Sequence, residues 1–135
     1  MLSRRRFAGC ALCAAGGVLL AEVGAQAQAP GFTRTVLSRA EYPGDKMATI
    51  QVLVEIEPNV LVARHTHPGV ESGTVLEGGG TLGVKGQADR AVKAGDSFQI
   101  AHEVPHLVQN GPARMRIVSV YVVEKDKPLA SPAPG

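Results

Sequence analysis

Between about Thr33 and Val123 the chain repeats one pattern, a short run of alternating apolar and polar residues followed by a turn. The clearest run is Met47 to Ile56. There Ile50, Val52, Val54 and Ile56 fall on one side and Thr49, Gln51 and Glu55 on the other. A period of two marks a strand with one face in a core. Further runs cover Val60 to Thr66, Ser72 to Leu76, Thr81 to Val84, Arg90 to Val92, Ser97 to Ile100, Val104 to Gln109 and Met115 to Val123. Between them stand Pro58-Asn59, Pro68-Gly69, Gly78-Gly79-Gly80, Gly86, Ala94-Gly95-Asp96 and Asn110-Gly111-Pro112, residues that turn a chain. No stretch here sustains a helical period, and no repeat of solenoid or propeller length is present. Roughly eight short strands bury a core only by stacking two sheets or closing into a barrel. The expected fold class is therefore all-β.

Residues 45–123 account for the barrel, and 28–44 supply an N-terminal segment and an edge strand. Residues 124–135 form a tail whose Pro128, Pro132 and Pro134 bar it from a central strand. The tail is expected to be partly disordered, or else to lie extended along a neighbouring subunit.

Residues 1–27 read differently. Ser3-Arg4-Arg5-Arg6-Phe7 is a basic start, Phe7 to Leu20 is Gly- and Ala-rich and weakly apolar, and Ala25-Gln26-Ala27 suits a signal peptidase. Ser-Arg-Arg-x-Phe also resembles the twin-arginine export signal, so a periplasmic or secreted location is expected. Both cysteines, Cys10 and Cys13, fall inside this segment, which leaves the mature chain without a thiol. Its removal also leaves 11 basic and 11 acidic residues, so the formal charge of +2 belongs to the signal. A neutral domain with four aromatics (Phe32, Tyr42, Phe98 and Tyr121) offers nucleic acid neither a basic patch nor a stacking platform. No apolar run reaches the roughly 20 residues of a membrane-spanning helix.

The four histidines fall in two short windows, His65 with His67 and His102 with His106. On a strand, His65-Thr66-His67 puts both imidazoles on one face about 6–7 Å apart, close enough to converge on one ion. Pro68-Gly69 turns the chain so that Glu71, at the start of the next strand, reaches the same point. His106 lies on a distant strand and shares its face with Val104, Val108 and Asn110. His102 reads as an exposed turn histidine, the alternative being a proton shuttle or fifth ligand at the mouth of the site. Gln99, Glu103 and Tyr121 read as structural polar groups, or else as groups of the rim or ones that back the ligands, and Asn110 as a turn residue or one that backs the ligands.

These residues resemble the two motifs of the cupin superfamily. His65-x-His67-x-x-x-Glu71-x6-Gly78 matches the later part of the first, and Gly95 to Asn110, ending His106-x-x-x-Asn110, matches the second. Two positions depart from the pattern. Asn59 stands where a glycine usually opens the first motif, and Ala101-His102-Glu103 stands where Pro-x-Gly is usual. Asn tolerates a left-handed backbone, so a turn at 59 remains open to it.

The resemblance implies a single-domain cupin barrel, a jelly roll or double-stranded β-helix, over roughly residues 45–123. It further implies one divalent transition metal on His65, His67, Glu71 and His106. Three imidazoles and a carboxylate suit Fe, Mn, Ni, Cu, Co or Zn, and the absence of thiolates argues against a closed structural zinc site. Small cupins of this type resemble quercetin dioxygenase-like proteins. The resemblance thus implies a metal-dependent dioxygenase acting on a small organic substrate, with Glu71 as a candidate base. Two alternatives stay open, a non-catalytic metal or small-molecule binding protein and a cupin isomerase or lyase. A homodimer is also implied, with Val62 and Leu53 expected to face outward on the paired surface.

Overall fold

Each alternating run forms a strand, and among the described residues there is no helix. The computed structural model describes residues 29–135, so the export signal expected over 1–27 lies outside the described residues. The strands in chain order are β1 (Phe32–Ala40), β2 (Met47–Ile56), β3 (Leu61–Thr66), β4 (Gly69–Glu77), β5 (Gly79–Val84), β6 (Arg90–Lys93), β7 (Ser97–Ile100), β8 (His106–Asn110), β9 (Met115–Glu124) and β10 (Ser131–Pro132). They make two five-stranded antiparallel sheets, ordered β1-β2-β9-β4-β7 and β10-β3-β8-β5-β6. Here β9 inserts between β2 and β4, and β8 between β3 and β5. Apart from the β1–β2 and β5–β6 hairpins, consecutive strands sit in different sheets, which is the jelly-roll arrangement expected from the sequence.

The core lies between the sheets, where the period-two pattern places it. Strand β2 buries Ala48, Ile50, Val52, Val54 and Ile56, and β9 buries Met115, Ile117, Ser119, Tyr121 and Val123. The β2–β9 register sets Val52 opposite Ser119 and Ile50 opposite Tyr121. The inward stripe of β9 thus carries Ser119 and Tyr121 between hydrocarbon neighbours, and these two polar side chains face the functional site.

Three features differ from the sequence expectation or sharpen it. First, Val62 is buried, not outward. The β3–β8 ladder pairs Val62 with Val108 and His65 with His106, so three steps on β3 match two on β8. This bulge resets the alternation and turns both Val62 and His65 inward.

Second, the tail folds onto its own chain, which corrects the expectation of disorder or of a neighbouring subunit. Strand β10 pairs Ser131 with Thr66 and Pro132 with His65, and the Ala133 N–H donates to the Arg64 carbonyl at 3.1 Å. Ala130 is buried and Leu129 packs on the core. Its prolines are tolerated because β10 is a two-residue edge strand.

Third, the two atypical motif positions both adopt the left-handed backbone a glycine would supply, Asn59 at φ 62° and Glu103 at φ 56°. The turn geometry survives the substitutions.

Candidate metal centre

His65 and His106 are cross-strand partners on β3 and β8, and His67 stands in the corner that joins β3 to β4. One ring nitrogen from each of the three lies within 4.8 Å of the others. The ring centroids are 4.3 Å apart for His65–His106, 4.9 Å for His65–His67 and 5.1 Å for His67–His106. Glu71 enters from the opposite sheet, on β4. Its Oε2 lies 3.1 Å from His67 Nε2 and 3.2 Å from His106 Nε2. His65, His67 and His106 thus converge, and Glu71 reaches two of them.

The protonation of the rings follows from their outer partners. In each imidazole Nδ1 faces a backbone carbonyl, which can only accept. His65 faces Ala63 at 2.8 Å, His67 faces Leu129 at 2.6 Å and His106 faces Val104 at 2.9 Å. Each Nδ1 therefore carries the proton, and each neutral ring turns an Nε2 lone pair to the centre. Both His67 Nε2 and His106 Nε2 are buried and lack any hydrogen-bond partner. An ion-pair reading of their contacts with Glu71 would need doubly protonated rings in hydrogen-bond geometry, and that geometry is not present. Lone pairs and a carboxylate oxygen crowded together in a buried site require a positive charge among them. These residues fit a metal ion.

The electrostatics agree. Burial, aided by the nearby His106 ring, lowers the His65 pKa to about 3, so this ligand is neutral and ready over the physiological range. Burial pushes the Glu71 carboxyl upward. Donors and positive charge directed at it, the Ser119 hydroxyl among them, outweigh this and hold the group well below the usual carboxylate range. Glu71 Oε1 accepts from Ser119 Oγ at 2.7 Å and from Tyr121 OH at 3.0 Å, which aims Oε2 at the histidines. Burial and then the Glu71 charge raise the Tyr121 phenol, which stays a donor.

The other candidates lie elsewhere. His102 Nε2 sits on the surface 3.8 Å from Glu124, and Gln99 donates to Ser72 Oγ at 3.0 Å on an exposed face. Glu103 occupies its left-handed turn. Buried Asn110 ties the β8–β9 turn, its amide donating to the carbonyls of Ile56, Glu57 and Ala113.

Four participants escaped the sequence reading in whole or in part. Arg34 on β1 donates from Nη2 to His65 Nε2 at 3.4 Å. Its only sequence signal is a shared parity with buried Phe32. Ser119 was not singled out, and its one signal is that it is a polar residue on the inward side of a valine- and isoleucine-rich strand. Tyr121, read as a group of the rim or one backing the ligands, is the latter, buried against Glu71. The Leu129 carbonyl gave no signal, because a backbone oxygen leaves no mark on residue type.

That carbonyl makes a specific prediction. Outer partners that fix a ligand's tautomer are worth about 10–100-fold in metal affinity. A chain ending at Lys127 is expected to bind Co(II) that much more weakly in calorimetry. Leu129→Ala keeps the oxygen and should retain the affinity while losing about 1 kcal/mol of stability. Equal affinity in the truncated and full chains would show that His67 needs no such support.

A cavity of about 30 Å³ adjoins the centre, with Arg34, His65, Glu71 and Phe98 in its wall. That is space for two or three waters.

The family model for the cupin domain matches residues 52–121. No curated protein matches the sequence significantly. Among solved structures, a conserved protein with a double-stranded β-helix domain from Klebsiella pneumoniae superposes with a TM-score of 0.62. It is 22% identical, over 78% of this chain and 90% of that one. The polyketide cyclase RemF of Streptomyces resistomycificus gives a TM-score of 0.62 at 22% identity, over 78% of this chain and 73% of that one. The DMSP lyase DddQ of Ruegeria pomeroyi gives 0.66 at 16% identity, over 76% of this chain but only 51% of that one. At these identities the likeness speaks for the shared fold. With the matched region reaching from β2 to Tyr121 on β9 and enclosing every histidine, this chain belongs to the cupin domain family.

Proposed function

We propose that the protein holds one divalent transition metal on His65, His67, His106 and Glu71 and binds a small molecule at the open side of that centre. The observation that carries this reading is the pair of buried Nε2 atoms that face Glu71 Oε2 with no proton donor between them. Four ligands of this softness suit Fe, Mn, Co, Ni, Cu or Zn, and all but a strictly four-coordinate ion keep room for another ligand. Such an ion, when bound, acts as a Lewis acid and, if redox-active, as an electron carrier. The chain's own residues do the rest. The three backbone-anchored imidazoles fix the ligand geometry, Ser119 and Tyr121 orient Glu71, and the apolar wall around the cavity limits water.

The size of the cavity favours a ligand of few atoms over an aromatic one. An oxygen-dependent dioxygenase remains the second reading, supported by the redox-capable ligand set; it needs the wall to open for an organic substrate. A non-catalytic binding role, and isomerase or lyase chemistry, differ from it in requiring no oxygen. Export by the twin-arginine route belongs to the same proposal and is supported by Ser3-Arg4-Arg5-Arg6-Phe7. So does a homodimer, for which the exposed Leu37, Val70 and Leu76 offer apolar surface.

The test is to purify the chain from residue 28 onward without a histidine tag and to quantify bound metals, beside His65→Ala and His106→Ala. About one equivalent in the parent, absent from both variants, is expected. An electrode trace of oxygen uptake with candidate substrates then separates the oxygenase from the binding protein. A metal-free parent whose variants behave identically would overturn the centre itself.

A further inference from the structure

We propose that Ser119 and Tyr121 bias the choice of ion: together they fill one oxygen of Glu71, hold the carboxylate to ligation through the other, and so weight the centre toward Co(II) and against Mn(II). This rests on the metal reading above. Both side chains are buried on β9, where Tyr121 is the direct cross-strand partner of Glu71 and Ser119 that of Gly73. Glu71 therefore meets one hydroxyl across the ladder and a second two residues along it. Its Oε1 accepts from Ser119 Oγ at 2.7 Å and from Tyr121 OH at 3.0 Å. Its Oε2 faces His67 and His106.

The lone pairs enforce this division. A carboxylate oxygen offers about two lone-pair sites, and both on Oε1 are taken. Chelation through both oxygens would make Oε1 give up at least one of these hydrogen bonds. Ser119 and Tyr121 are 0% and 1% exposed, so a displaced hydroxyl finds no solvent. Leaving it buried and unpaired costs roughly tenfold to a hundredfold in the equilibrium. Co(II), which accepts a tetrahedral shell as Zn(II) does, loses little by the restriction, because His65, His67, His106 and one oxygen already fill such a shell. Mn(II) favours oxygen ligands in an octahedral shell and forgoes the additional oxygen that a chelating carboxylate would supply.

The test compares the parent chain with Ser119→Ala, Tyr121→Phe and the double variant, each of which removes a hydroxyl and leaves the hydrocarbon in place. Co(II) and Mn(II) affinities are measured by competition against a chelator. Infrared difference spectra of loaded minus metal-free protein read the carboxylate that changes on loading. The gap between its antisymmetric and symmetric stretches is wide for ligation through one oxygen and narrow for chelation. In the parent the gap should be wide with either ion. In the double variant it should narrow with Mn(II), and the ratio of Mn(II) to Co(II) affinity should rise about tenfold, with the single variants between. The ratio is decisive because a carboxylate stripped of hydrogen bonds becomes a stronger donor to every ion, and a loosened site weakens every ion alike. A ratio unchanged across all four proteins overturns the proposal, as does a narrow gap in the parent. A parent that takes up neither ion defeats the metal reading instead, and that first titration tells the two failures apart.

Discussion

Glu71→Gln is expected to move metal affinity and metal-free stability in opposite directions. Its Oε1 already accepts from Ser119 and Tyr121, so a glutamine amide keeps its oxygen there and turns its NH₂ toward His67 and His106. Two N–H donors then meet the two Nε2 atoms that stand 3.1 and 3.2 Å away and lack partners in the native chain. Two new hydrogen bonds should stabilise the metal-free protein by about 1–2 kcal/mol. The same change removes the one anionic ligand. Apparent zinc affinities of about 10–16 kcal/mol in four-ligand sites put each ligand near 3 kcal/mol, a loss of two to three decades. Thermal melts with and without chelator, beside calorimetric metal titration, read both effects. A metal-free Glu71→Gln protein that is less stable than its parent would mean the cluster is a hydrogen-bonded core network and not a vacant ligand set.

The second large effect is on folding. Gly69 opens β4 between His67 and Glu71, paired with Val123 of β9. A Cβ there would overlap the Val122 carbonyl oxygen and crowd the backbone of Val123. Backbone cannot rotate aside as a side chain can, so Gly69→Ala must push β4 away from β9. We expect a loss of about 3 kcal/mol or more in chemical denaturation, with weaker metal binding because Glu71 moves off Ser119 and Tyr121. Gly73→Ala is the control. Its Cβ would strike the Phe98 ring, the end of a half-buried side chain that can swing, at a cost of about 1–2 kcal/mol. Equal costs at the two glycines would contradict this account of the β4–β9 contact.

Most of the fold was legible because one-sided burial imposes a period of two, and β2 and β9 carry it without interruption. The ligands were legible because three imidazoles and a carboxylate at fixed spacings are improbable as surface decoration. Parity failed at Val62, where the bulge inserts a residue that no side-chain pattern announces. The tail was misread for a related reason. Proline argues against a central strand but is silent about a short edge strand, and what holds the tail is a carbonyl oxygen every residue possesses. Arg34 was missed because a single cation on an edge strand looks like solvated surface until its neighbours across the barrel are known.

The order of the site along the chain has a consequence for biosynthesis. The four proposed ligands are all translated before Ser119, Tyr121 and Leu129, the groups that aim two of them. A nascent chain therefore exposes a loose set of imidazoles first and gains the partners that sharpen its choice of ion only when β9 and the tail have joined. On the proposed metal reading, early ions would be held weakly and exchanged, and the compartment in which the barrel closes would decide which metal the finished protein keeps.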